Sequence, residues 1–74
     1  MRNVAQDAYD KIKVGETGWM KPNFDIGETL QGFQQAAYAA TVMQEDGLIH
    51  VVTMHRESTT GHRMVDLIQF TKLR

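Results

Sequence analysis

At Gly47 the chain changes period, and that switch constrains the fold more than any other feature. Before it, residues 33–46 are good helix formers with no breaker. Phe33, Ala36, Ala40 and Met43 recur on one side, and Gln34, Gln35, Tyr38, Thr41 and Glu45 on the other. After it, residues 48–54 and 64–71 are rich in β-branched side chains, with the polar segment Glu57-Ser58-Thr59-Thr60-Gly61 between them. The pattern predicts a helix over 33–46, a left-handed glycine cap at Gly47, and an antiparallel hairpin of about seven residues a side. Alternation in the second strand sets Val65 and Leu67 on one face, and Met64, Asp66, Ile68 and Phe70 on the other.

Upstream, Val4, Ala8 and Ile12 with Ala5 and Tyr9 recur at helical spacing, Asn3 suits an N-cap and Gly15 a stop. These predict a first helix over 3–14. Residues 15–23 hold two glycines, a proline and an asparagine, which mark a loop with at most a short edge strand over 17–21. Asp25 and Glu28 read as a capping box that starts the next helix. Glycine inside a helix costs about 1 kcal/mol relative to alanine, so of two readings, one long helix over 26–46 or a break at Gly32 between a short helix at 26–31 and a longer one at 33–46, the break is preferred. Phe24 and Phe33 read as core; Trp19 either plugs the core's edge or anchors a partner, and the plug is preferred because so small a core needs large side chains.

The chain has 74 residues, enough for a single domain spanning 1–74. Eight Lys and Arg stand against nine Asp and Glu, which excludes a polybasic arm or an acidic tail. Without cysteine there is no disulfide scaffold, thiolate zinc site or cysteine nucleophile. His50 and His55 lie five apart on a strand, hence on opposite faces, and no acidic residue completes a ligand set, so no metal is expected. Neither a glycine-rich phosphate loop nor a Ser-His-Asp spacing is present, so no cofactor and no enzymatic activity are expected. The longest purely apolar run, Ala36 to Ala40, is far short of a membrane span, and residues 1–20 hold no signal-like apolar stretch. The expectation is a cytoplasmic protein with no membrane partner.

The order of helix, loop, helix, turn, helix and hairpin, with the junction Met43-Gln44-Glu45-Asp46-Gly47-Leu48-Ile49-His50-Val51-Val52, resembles winged helix-turn-helix domains at the passage from recognition helix to wing. The resemblance implies an α+β fold, a small winged helix-turn-helix of three helices followed by a C-terminal β-hairpin; the alternative is two helices packed on one face of a hairpin, without the helix-turn-helix geometry. It also implies a DNA-binding transcriptional regulator with its recognition helix at about 33–46 and its wing at about 48–71. Gln34, Gln35, Tyr38 and Thr41 would then face double-stranded DNA, where glutamine can pair with adenine and threonine can touch a thymine methyl. Arg56, His62 and Arg63 would hold phosphate or the minor groove from the wing, and Lys21 would reach the backbone.

The charge pattern divides two functional readings. The helix at 33–46 carries no Lys or Arg and ends in Glu45-Asp46, whereas affinity for DNA is dominated by phosphate neutralisation. Residues 1–50 carry four basic and seven acidic groups, a net of −3, and residues 51–74 carry four basic and two acidic groups, a net of +2. The basic hairpin favours DNA, and so few cations per chain imply a homodimer, with Tyr9 and Ile12 of the first helix as candidate contacts. The cation-free helix face favours the alternative, a winged-helix module that binds another protein and no DNA.

Overall fold

A computed structural model describes residues 3–74. Helix α1 spans Val4–Asp10, strand β1 Thr17–Met20, a single 3₁₀ turn Phe24–Ile26, helix α2 Leu30–Glu45, strand β2 Ile49–Arg56 and strand β3 Val65–Lys72. The strands form one antiparallel sheet in the order β1-β3-β2. The α+β class expected from the sequence is therefore kept, but three helices followed by a hairpin is overturned. Among the described residues there are two α-helices, and the hairpin gains β1 as a third strand along β3.

The missing helix has a local cause. Asn23 accepts a hydrogen bond from the Asp25 amide at 3.0 Å and so caps the segment that follows. Gly27 then takes φ 86° and ends it after one 3₁₀ turn. Glu28 does not box with Asp25; its carboxylate accepts from the Asn23 amide at 2.6 Å. The N-cap of α2 is Thr29, whose hydroxyl accepts from the Gly32 amide at 3.0 Å. Gly32 thus lies in the first turn, where its amide has no intrahelical partner to lose, and it does not break the helix. With one 3₁₀ turn ahead of α2, the described residues form no helix-turn-helix element.

The C-terminus of α2 follows the sequence closely. Gly47 has φ 76°, its amide donates to the Gln44 carbonyl at 3.0 Å, and the Leu48 amide donates to the Met43 carbonyl at 2.9 Å. This pair of bonds is the Schellman motif, and Met43 and Leu48 at its two ends both pack against the core. At α1 the helix stops at Asp10 rather than 14. Its N-cap is Asn3 as expected, and the Lys72 ammonium donates to the carbonyls of Tyr9 at 3.1 Å and Ile12 at 3.0 Å. A cation there complements the negative end of the helix.

The core lies between α2 and one face of the sheet. Phe33, Ala36, Ala37 and Ala40 meet Met20, Ile49, Val65, Ile68 and Phe70, and Ala5 of α1 closes one end. The small inward side chains let the helix lie close on the strands. Two slips in the β2–β3 register break strict alternation, one between Val51 and Thr53 and one between His55 and Arg56. The second leaves Asp66 without an opposite residue, so Val65 turns inward with Ile68 and Phe70 instead of outward with Leu67. The first, at Val52, puts His50 opposite Thr71 and His55 opposite Leu67, hence on one face rather than two. Among the described residues no helix is long and apolar enough to cross a membrane.

Candidate nucleic-acid interface

Because α2 starts at Leu30, its solvent stripe is set one turn earlier than the sequence suggests. Gln31, Gln35, Tyr38, Val42 and Glu45 recur at helical spacing along the exposed side. Gln35 is exposed, Tyr38 is 73% exposed, and Thr41 sits on the flank with its hydroxyl bonded to the Ala37 carbonyl at 3.1 Å. Gln31 escapes a reading in which the helix begins after Gly32; once Thr29 is taken as the cap, periodicity alone finds it.

Gln34 has another task. Its amide nitrogen donates to the carbonyls of Val65 at 2.8 Å and Leu30 at 2.7 Å, and its amide oxygen accepts from the Val65 amide at 3.0 Å. The side chain is half-buried and completes the backbone pairing of a buried residue at the start of β3. Near the other end of α2, the Gln44 amide oxygen accepts from the Val51 amide at 2.7 Å. The helix is thereby stapled to both strands of the hairpin.

The loop joining those strands is ordered around Glu57, whose residue surface is 6% exposed. Its carboxylate accepts from the Thr60 hydroxyl and from the Thr60 amide, the latter at 3.1 Å, and its own amide donates to the Met64 carbonyl at 2.8 Å. The Thr60 hydroxyl bond, then the Thr60 amide, hold the Glu57 carboxyl below its ordinary value of 4.5, with burial a lesser opposing cause. The carboxylate stays ionised and offsets part of the loop's positive charge. Arg56 donates to the Arg63 carbonyl at 3.1 Å across the loop. Arg63 has φ 52°, the one non-glycine residue with positive φ among those described. His62 is exposed, with its amide bonded to the Thr60 hydroxyl oxygen at 3.2 Å.

The structure thus brings Arg56, His62 and Arg63 together on one loop, and Gln34 ties the base of that loop to α2. Lys21 belongs elsewhere: it lines the grooves around Trp19, Phe24 and Lys11. Of the other two cations of the basic C-terminal third, the Lys72 ammonium is bonded at the end of α1 and the Arg74 guanidinium lies near Gly47. On the outer face of the sheet, His55 Nδ1 lies 2.5 Å from an Asp66 carboxylate oxygen. No protein-family model matches the chain, and no curated protein and no solved structure matches it either.

Proposed function

We propose that the chain is a DNA-binding transcriptional regulator that lays the exposed stripe of α2 in the major groove and grips phosphates with Arg56 and Arg63. The observation that carries this reading is the Gln34 clamp, which holds an arginine-bearing loop beside a helix face of unengaged glutamines. A helix about 10–12 Å across matches a major groove about 12 Å wide. Gln31 and Gln35 would then pair with adenine edges, and Thr41 would offer its methyl group to thymine. Two arginines per chain supply little phosphate neutralisation, with log K falling by about 2 per tenfold rise in salt. Discrimination must then come mostly from base edges rather than from charge.

The test is selection from random duplexes, followed by anisotropy titrations between about 50 and 200 mM salt. One sequence class should be enriched, Gln35→Ala should relax its specificity, and Arg63→Ala should flatten the salt slope by about 1. If no duplex is enriched or bound at low salt, the reading fails. One feature favours a second reading: Tyr38 and Val42 stand exposed on a face without cations, which suits the centre of a protein interface. Amide NMR shifts on α2 that follow a protein partner and never DNA would select it.

A further inference from the structure

Three large apolar side chains that a small core would be expected to take up are left outside. Trp19 is 54% exposed, Phe24 63% and Ile26 61%, so Trp19 is not the plug and Phe24 not the core residue the sequence suggests. They surround two adjoining grooves of about 560 and 310 Å³ that share Val4 and Pro22 as walls. Their exposure is built in. The Asn23 cap, the Glu28 carboxylate on the Asn23 amide, and Gly27 at φ 86° hold Phe24 and Ile26 in a bonded turn. An apolar patch rigidly presented in this way is a mark of an interaction surface.

The charge around the patch indicates its partner. Lys11, Lys21 and Asp25 line the larger groove. A twofold interface places one patch against its own copy, so it must carry both signs to be self-complementary. An acidic or basic partner, or a phosphate backbone, asks for one sign. Two copies also have no good route through the free edge of β2, since Gln44 occupies the Val51 amide and Val52 bulges from the strand. Nor do Tyr9 and Ile12 remain for that purpose. The Tyr9 hydroxyl donates to the Arg74 carbonyl, its ring lies under the Lys72 ammonium, and Ile12 packs close to Gly18.

We infer that Trp19, Phe24 and Ile26 form the interface of a homodimer, with Lys21 of one copy facing Asp25 of the other. An interface at the small end of the stable range, about 600 Å² per copy, would use about an eighth of the 4975 Å² surface. The inference stands apart from DNA binding and is tested without DNA. If both hold, the dimer doubles the arginines available to phosphate.

Sedimentation velocity on the full chain across the micromolar range should show a concentration-dependent dimer. Trp19 is the sole tryptophan, so its emission should move to shorter wavelength along the same isotherm. Phe24→Asp, at an exposed site where circular dichroism should show an unchanged fold, should raise the dissociation constant at least tenfold. Lys21→Glu and Asp25→Lys should each weaken the dimer about two- to fivefold, and the two together should restore it. A chain that stays monomeric with fixed Trp19 emission overturns the inference. So does a dimer that ignores Phe24→Asp or leaves the emission unmoved.

Discussion

Replacing Gln34 with alanine separates a structural glutamine from a reading one. The side chain satisfies both the amide and the carbonyl of Val65, a residue 3% exposed. Each buried backbone group left without a partner costs about 1–3 kcal/mol, and water entering a half-buried site recovers part of that. The loss should therefore be about 3 kcal/mol, against a total of roughly 4–11 kcal/mol for a domain of this size. That corresponds to a fall in Tm of about 12–24 °C. Urea melts followed by circular dichroism and Trp19 fluorescence measure it. Gln35→Ala, one position along and exposed, should stay within about 0.5 kcal/mol of the wild type while changing DNA specificity. Gln34→Glu should also destabilise, because a carboxylate keeps the acceptor but faces two carbonyls. A folded Gln34→Ala variant that loses less than about 1 kcal/mol yet no longer discriminates bases would make Gln34 a reading residue and refute its structural role.

A Cβ at Gly18 would lie 3.1 Å from Ile12 Cδ1 and 3.2 Å from Phe70 Cζ. Gly18→Val should therefore cost about 1–3 kcal/mol in urea melts, since buried Phe70 has no room to yield. The Glu57 carboxyl titrates below its ordinary 4.5, so its contribution is complete above that range and is lost as pH falls through the depressed value. Thr60→Val removes the leading cause and should move the acid limb of stability to higher pH; a Glu57 carboxyl titrating at or above 4.5 in the wild type, by NMR, would contradict this. Arg63→Asn should raise Tm by a few degrees, because asparagine tolerates positive φ better than arginine, while weakening DNA binding. A rise in stability without loss of affinity would remove Arg63 from the phosphate contacts.

Where hydrophobic period and cap chemistry agree, the fold is legible in the amino-acid sequence. Residues 33–45 lie within α2, Gly47 caps it in the left-handed conformation, and the paired β-branched runs form β2 and β3. β1 is harder to read because its four residues include Gly18, which weakens any strand signal. The glycine is there because the strand must approach Ile12 and Phe70 closely, a tertiary demand that leaves no periodicity behind. The turn at 24–26 misleads because four capping residues overlap: Asn23, Asp25, Glu28 and Thr29 each have a plausible amide within reach. Only the geometry decides that Asn23 caps the turn and Thr29 caps α2. Size alone points Phe24 and Trp19 inward, yet the space between α2 and the sheet is already filled by Phe33, Met20, Ile68 and Phe70 packed against Ala36, Ala37 and Ala40.

The candidate site shows the same limit more sharply, because four residues of one type do two kinds of work. Gln34 and Gln44 bind backbone groups of β3 and β2, whereas Gln31 and Gln35 face solvent. Residue type cannot distinguish them, and helical phase does so only after the start of α2 is known. The two glutamines that bind the strands nevertheless bear on the other two. By fastening both ends of the helix to the hairpin, they fix the angle between the exposed stripe and the Arg56–Arg63 loop before any ligand arrives. For the DNA binding proposed above, a chain with so few cations could not rely on electrostatic attraction to offset the ordering of the surface, and a surface already ordered is what such binding would require.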